Sequence, residues 1–472
     1  MVDLLGKRGG NPSAIMRWLT LLCVAALPFE IVLSAVRNQL VLKVGLAGYL
    51  FHPAVGAIAG LLWFRGRTNS PAVLTWSLVL YGSGLIVSGV VNGSSPFYIG
   101  SVMILGPFLM VAVQSVDGRL FIQVAKAFVV GQAFWAACFL CFLAWNFSLM
   151  IEIEPEISRG SFGTMLLRAR GDEDLWSLML YFKLLGNFNK QANILAVSLI
   201  LTAYLFVMCH LSRALWLLCT MTMAVMTLAI FSRGAFVVLL LATAGLVAVS
   251  YWSRQRRRQV AAAIGVCAAS LISFTTPEWR DYWRNLSTIE QRKEMAASAL
   301  DGSNPYLSNG HLASEERAGS THASKALPSQ RQTKAAPDLC EAKEPERSLT
   351  FFIFGYGLGN YGPTICRAPE AESHNGFVDA WIQGGVLSAI GYAAMFIVAV
   401  LVALGRLYRS RLSDADALFG LAIVTCIAVL AQREYALVYL WVQSTGGFLL
   451  AIGLALSCRV SDQVPPCEPS KH

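Results

Sequence analysis

Long apolar runs separated by short polar segments recur along the whole chain. A transmembrane helix needs about 20 predominantly apolar residues, and most of these runs are close to that length. The pattern therefore predicts an all-α polytopic membrane protein with about twelve transmembrane helices. The predicted spans are 15–36, 41–64, 71–92, 97–115, 119–146, 191–209, 214–231, 235–252, 260–275, 384–405, 415–431 and 436–457.

The basic residues beside these spans predict how the chain is oriented. Cytoplasmic loops of membrane proteins are enriched in Lys and Arg. If the N-terminus is cytoplasmic, the basic clusters next to spans fall on one side of the membrane. The C-terminal tail, 461–472, is then cytoplasmic too. The residues concerned are Arg65, Arg67, Arg119, His210, Arg213, the run Arg254 to Arg258, Arg406, Arg409, Arg411 and Arg459.

Two polar segments are left on the outer side, at 147–190 and 276–376. The second is the largest polar segment of the chain. Its central part, 300–350, is rich in Ser, Ala, Gly, Pro and Lys, and we predict a disordered insertion there. The chain thus divides into a first bundle part of about nine spans (1–275), this large loop, and a second part of three spans (377–460).

Composition narrows the class of protein. Apolar residues make up 56% of the chain and charged residues only 14%, against about 25% charged in a soluble domain. This excludes a soluble globular enzyme. The net charge of +9 is explained by cytoplasmic loops rather than by nucleic-acid binding. Of the eleven cysteines, Cys138 and Cys141 have CxxC spacing within an apolar run. No His/Cys cluster has zinc spacing, so we predict no metal site. Cys340 and Cys366, on the outer side, are either a disulfide or two thiols.

An arginine lies between two apolar spans on the outer side, at Arg233 in "FSRGAF". An arginine is costly inside a membrane. Either its side chain snorkels to the interface, or its guanidinium faces a cavity and offers paired hydrogen bonds to phosphate. The following Gly234 allows a ligand or a helix to approach the backbone closely.

A histidine lies where the large outer loop re-enters the membrane, at His374 in "ESHNGFVDAWIQGG". The stretch from Phe377 to Ile382 predicts a short interfacial helix, with a break at Gly384–Gly385 before the next span. A histidine at that place can accept a proton near neutral pH. Asn375 follows it directly as a second candidate polar contact.

Two further segments carry candidate binding residues. "FGYGLGNYGP", residues 354–363, lacks the GK[ST] of a phosphate-binding P-loop, so we interpret it as a tight turn that includes Gly357. Its Tyr356 could stack on a sugar or anchor the chain at the membrane interface. "GNFNKQANILA", residues 186–196, brings Lys190 and Asn193 to the start of a span. Polar groups at that depth need partners, either from the protein or from a polar ligand.

Taken in order, these four segments resemble the O-antigen ligase and O-antigen polymerase superfamily of bacterial inner-membrane proteins. The motifs that carry the resemblance are "GNFNKQANILA", "FSRGAF", a loop arginine followed by "FGYGLGNY", and "SHNGFVDAWIQGG". They extend over 186–392, about two fifths of the chain. The predicted twelve spans, with a large outer loop before the last three, are similar to this family as well.

The resemblance implies a GT-C-type glycosyltransferase that needs no cofactor, metal or nucleotide sugar. Its donor would be a glycan on undecaprenyl pyrophosphate, and transfer would occur on the periplasmic side. By motif position, Arg233 and His374 correspond to the family's functional arginine and histidine. Arg292 corresponds to its loop arginine, with Arg347 as the rival. The expected substrate-binding residues are Asn193, Lys190, Asn375, Gly357 and Tyr356.

Three functions stay open at this point. A ligase would pass the glycan to lipid A–core, and a polymerase would pass it to another lipid-linked repeat unit. Neither the motifs nor the loop length separates these two functions, and we lean slightly towards the ligase. A transporter of lipid-linked glycan is the alternative of another class, although ionisable residues are scarce in the central spans. An enzyme requires Arg233, Arg292 and His374 to meet at one outer-side cavity.

Overall fold

The computed structural model is all-helical throughout the residues that it describes, which confirms the predicted fold class at that level. Those residues are 14–29, 72–94, 112–113, 116–153, 188–230, 233–252, 261, 349–357, 375–431 and 444–458. The helices are α1 (Ala14–Ala26), which a 3-10 turn (Leu27–Phe29) follows, α2 (Ala72–Val91), α3 (Gly118–Ile153), α4 (Phe188–Val207), α5 (Arg213–Ile230), α6 (Arg233–Trp252), α7 (Leu349–Phe354), α8 (Gly376–Arg409), α9 (Ala415–Ala431) and α10 (Ser444–Cys458).

Three described segments are long and apolar enough to cross a membrane: Val73–Val91, Gly118–Cys141 and Gly376–Arg409. Six shorter apolar helical segments accompany them within the described part of the chain. The coarser prediction of an apolar membrane-type bundle is supported. The predicted spans 41–64, 97–115 and 260–275 lie almost entirely outside the described residues.

Helix α3 differs from its predicted span, which was 119–146. It continues to Ile153, so the predicted outer loop 147–190 begins later than expected. The residues from 147 to 153 contain neither Gly nor Pro, and Pro155 follows shortly after. A helix normally ends before the residue that precedes a proline, which accounts for the later end.

Helix directions define two ends of the bundle. Arg17 of α1 donates to Gln123 of α3 at 2.8 Å, so the first turns of both helices lie at the same end. Tyr204, near the end of α4, donates to Asp416 at the start of α9 at 2.9 Å. Arg406, near the end of α8, also lies there. The first part of α3 lies at this end too, because the Lys126 ammonium acts electrostatically on His210, which follows α4. We call this end the basic end.

Arg406 holds the basic end together. Its guanidinium makes two hydrogen bonds to the Asp414 carboxylate, at 3.0 and 3.1 Å, and the closest N–O approach of the pair is 2.8 Å. It also donates to the carbonyl oxygens of Leu456 and Ser457 at the end of α10. One side chain therefore joins α8, the turn before α9 and α10, and it satisfies carbonyls that a helix end leaves without partners.

Helices α2 and α8 run antiparallel along a seam of small residues. Gly84 of α2 faces Ser388, and Gly391 of α8 faces Ser77 and Tyr81, so closely that a Cβ at either glycine would overlap the facing backbone. The rings of Tyr81 and Tyr392 lie 5.4 Å apart between them. Small residues allow helix backbones to approach in this way in membrane proteins. The end of α2 consequently lies beside the start of α8.

Candidate functional site

The glycine-rich turn packs directly on helix α8. The backbone N–H of Tyr356 donates to the carbonyl of Ile382 at 2.6 Å, and Trp381 Nε1 donates to the carbonyl of Phe352 at 3.1 Å. Gly355 has φ +68, and a Cβ there would overlap the carbonyl oxygen of Ile382. The structure thus brings the segment that begins at 354 together with the segment that begins at 375.

Helix α8 is broken at Gly385, as the sequence predicted. Its backbone angles there are φ 67 and ψ −169, a combination that is essentially restricted to glycine. A Cβ at Gly385 would overlap the carbonyl oxygen of Ile353 on α7. The break therefore lets α7 reach the backbone of α8, and it separates a short first helical part from the long span.

Ser88 of α2 contacts both the end of α7 and the first part of α8. Its hydroxyl is buried, and its oxygen lies within hydrogen-bond distance of the carbonyl oxygens of Phe354 and Gln383, the latter at 2.6 Å. Both carbonyls lie next to glycines at the turn or at the break, where regular helical partners are lost. Ser88 thus stabilises a junction between α2, α7 and α8.

Asn375 caps the first turn of α8. Its Oδ1 accepts from the backbone N–H of Phe377 at 3.0 Å and from that of Val378 at 3.3 Å. An N-cap of this kind typically contributes about 1 kcal/mol. The predicted contact of Asn375 with substrate stays a prediction, but the structure gives this side chain a local structural role as well.

Tyr356 and Gly357 occupy the turn without being fully open to solvent. The Tyr356 ring lies 4.5 Å from the ring of Phe351. Burial raises the pKa of the Tyr356 phenol to about 12, so the phenol is neutral at physiological pH. Gly357 is buried with φ 85, so a side chain there would be strained.

The other two motif segments also meet. Asn193, in the second turn of α4, is fully buried, and it lies against Gly234 in the first turn of α6. A Cβ at Gly234 would be 2.8 Å from Asn193 Oδ1 and 3.2 Å from Leu430 Cδ2 on α9. Arg233 is the first residue of α6. Its backbone therefore begins a helix beside Asn193, at the positive end of the helix dipole.

All four segments share the end of the bundle opposite the basic end. Helices α8 and α9 are packed together, and they run antiparallel because only a short turn joins them. The start of α8 is thus on the same side as the end of α9. Leu430, at that end of α9, contacts the start of α6 at Gly234. We call this the site end.

The structure adds buried polar residues that sequence reasoning did not single out. Asp379 and Gln383 lie one turn apart on α8 and are 0% and 1% exposed. The Asp379 backbone N–H donates to the Asn375 carbonyl at 2.8 Å, and its carboxyl interacts electrostatically with the Tyr81 phenol. Such groups are expensive in an apolar interior. The signal available in the sequence was two polar residues, four positions apart, in a stretch that leads into a predicted span.

Several predicted site residues lie outside the described residues. They are His374, Arg292, its rival Arg347, and the cysteines Cys340 and Cys366. The same holds for the side chains of Lys190 and Arg233, although the backbones of both are described, and for most of the predicted insertion 300–350. The meeting of Arg233, Arg292 and His374 therefore stays a prediction. Within the described residues, no group of three His, Cys, Asp or Glu side chains is arranged to hold a metal ion.

Comparison of the chain with models of known protein families gives no match, and no curated protein matches it. The functional argument therefore depends on the site end and on its motifs.

Proposed function

We propose that this protein is a membrane glycosyltransferase of the O-antigen ligase type, acting on the periplasmic side of a bacterial inner membrane. The donor is a glycan carried on undecaprenyl pyrophosphate, and the acceptor is lipid A–core. The proposed reaction uses no cofactor, no metal and no nucleotide sugar. The residues proposed for the chemistry are His374, Arg233 and Arg292.

One observation supports the proposal most strongly. Four segments that are far apart in sequence have their described parts at one end of the bundle. Asn193 lies against the residue after Arg233, and the glycine-rich turn lies on the helix that starts directly after His374. This common location supports a shared function for the four segments.

The chemistry explains why arginine and histidine are suited to this place. His374 accepts the proton of the acceptor hydroxyl as that oxygen attacks C1 of the donor sugar. The bond between C1 and the pyrophosphate oxygen breaks, and its electron pair stays on the pyrophosphate. Arg233 and the loop arginine bind the phosphate oxygens and stabilise the growing negative charge. Direct in-line attack would invert the anomeric centre.

Deletion of the gene in its host tests the proposal. Lipopolysaccharide and lipid-linked glycan are examined on gels after complementation with the wild type, with Arg233→Ala and with His374→Ala. We expect long lipid-linked glycan to accumulate while the core stays bare, and neither variant to restore ligation. Arg409→Ala is the matched control, because Arg409 is exposed at the basic end, and we expect it to restore ligation fully.

Other outcomes identify the alternatives. Accumulation of single lipid-linked repeat units, without polymer, would make the protein a polymerase instead. Full complementation by both site variants at normal protein levels would contradict the catalytic assignment. Glycan that stays on the cytoplasmic side of the membrane in the deletion strain would favour a transporter.

A further inference from the structure

We propose that the basic end carries a binding site for one anionic phospholipid, formed by the start of α3, the turn between α4 and α5, and the start of α5. The site is built from Lys126, His210 and Arg213. It lies at the opposite end of the bundle from the proposed glycosyl transfer, and it does not depend on that reaction.

Lys126 and Arg213, the two cationic side chains of this cluster, have no ion-pair partner among the described residues. The described carboxylates at the same end are already engaged. Asp414 binds Arg406, Asp416 accepts from Tyr204, and Asp117 Oδ1 accepts from the backbone N–H of Leu120. Positive charge at Lys126 and Arg213 is thus available to an external anion.

Helix α3, which carries Lys126, packs against α5, which begins just after His210. Burial and, to a smaller extent, the Lys126 ammonium lower the pKa of the His210 imidazole. Its Nε2 is buried without a hydrogen-bond partner among the described residues. The Lys126 ammonium donates hydrogen bonds, and a neutral imidazole can donate one through a ring N–H, so the pair suits a phosphate that accepts from both.

The turn that carries His210 is held firmly. The backbone N–H groups of His210 and Leu211 both donate to the Leu205 carbonyl, at 2.7 and 3.2 Å. The rings of Phe206 and Trp216 stack at 4.2 Å across the two helices that the turn joins. A site that is already ordered loses less conformational freedom when it binds a ligand.

Below the cations, both helices expose apolar stripes at helical spacing. On α3, Lys126 is followed at intervals of four by Val130 and Phe134, which are 41% and 62% exposed. On α5, Arg213 is followed at the same interval by exposed apolar side chains. They are Leu217, Met221 and Val225, at 53%, 53% and 46% exposed.

A cation followed by an apolar stripe matches the anionic headgroup and the acyl chains of a phospholipid. Residues four apart lie on one face of a helix, and α3 and α5 both begin at the basic end. Each helix therefore presents a cation nearer the basic end and exposed apolar side chains further along the same face. A free phosphate ion would use the cations alone, whereas a lipid also uses the stripes.

Native mass spectrometry of the full-length protein in detergent tests this inference. The probes are dioleoyl-phosphatidylglycerol, dioleoyl-phosphatidylcholine, dihexanoyl-phosphatidylglycerol and inorganic phosphate. A basic residue near a membrane surface contributes about 1 kcal/mol to the binding of anionic lipid, which is about five-fold in affinity. We expect dioleoyl-phosphatidylglycerol to bind about 25-fold more tightly than the choline lipid, and more tightly than the short-chain lipid or phosphate.

Variants then locate the site. Lys126→Gln and Arg213→Gln should each weaken binding of dioleoyl-phosphatidylglycerol about five-fold, while the matched control Arg409→Gln should leave it unchanged. Melting temperatures without lipid establish that each variant is folded. Equal binding of the choline lipid, equal losses in the control, or saturation of the site by inorganic phosphate at the same affinity would each overturn the inference.

Discussion

The two ends of the bundle are held together by different means. At the basic end, side chains bind one another: Arg406 with Asp414, Tyr204 with Asp416, and Arg17 with Gln123. At the site end, backbone carbonyls accept the connecting hydrogen bonds, from the Tyr356 N–H, from Trp381 Nε1 and from the Ser88 hydroxyl. Arg406 and its partners thus stabilise the basic end, whereas Lys126 and Arg213 have no ion-pair partner there among the described residues. The site end obtains close backbone packing from glycines.

The largest effect is expected at the break in α8. Gly385→Ala places a Cβ against the Ile353 carbonyl at a φ of +67, and we expect it to destabilise the protein by at least about 4 kcal/mol. Thermal unfolding in detergent and the amount of folded protein measure the loss. Gly405→Ala is the matched control on the same helix, because nothing lies within 4 Å of its Cβ position. Similar melting temperatures for the two variants would contradict the role given to glycine at the site end.

At the basic end, Arg406→Met should cost about 2–3 kcal/mol, because it leaves the partly buried Asp414 carboxylate and two helix-end carbonyls without their donor. The substitution keeps much of the apolar stem of the side chain. Thermal unfolding of this variant beside wild type measures the change. Since Arg406 is far from the site end, any remaining folded protein should keep its glycosyl-transfer rate. A loss of rate without a loss of stability would show that the two ends are not separate in their roles.

A smaller effect is expected at Gly234. A Cβ there would be 2.8 Å from Asn193 Oδ1, so the side-chain amide has to move. We expect Gly234→Ala to cost about 1 kcal/mol and to lower the transfer rate more than the stability loss explains. Gly245→Ala, on the same helix with open space at its Cβ position, should retain the full rate. Equal transfer rates in the two variants would contradict a role for Asn193 in glycosyl transfer.

The smallest effect concerns pH at the basic end. Because the pKa of His210 is lower in the folded protein than its ordinary value of 6.5, the unfolded chain binds the proton more readily. The contribution to stability is present above pH 6.5 and is lost as the pH falls through the folded pKa. His210→Asn should flatten this part of the pH profile of the melting temperature. Among the described residues, Lys126 on α3 and Arg213 at the start of α5 carry charge near this turn. Bound anionic lipid should oppose the loss, because it favours protonated His210.

Features of the fold that follow from local sequence pattern could be predicted from the sequence alone. The helical class, the short first part of α8 and the break at Gly384–Gly385 depend on periodicity and on glycine, and all three are confirmed. The packing of Asn193 against Gly234 could not be predicted, because it depends on which helices meet. Asp379 was missed for the same reason, since an amphipathic stretch does not reveal that both of its faces are covered. The extension of α3 to Ile153 depended on how far a helix tolerates polar residues before Pro155.

Glycosyl transfer by the purified protein tests the central claim most directly. The protein is placed in lipid nanodiscs with undecaprenyl-pyrophosphate-linked glycan and lipid A–core, and the joined product is measured over time for wild type, Arg233→Ala, His374→Ala and Arg409→Ala. We predict transfer by wild type and by Arg409→Ala at the same rate, and at least about 100-fold slower transfer by the two site variants. Absence of transfer by folded wild-type protein, or equal rates for Arg233→Ala, His374→Ala and Arg409→Ala, would contradict the account.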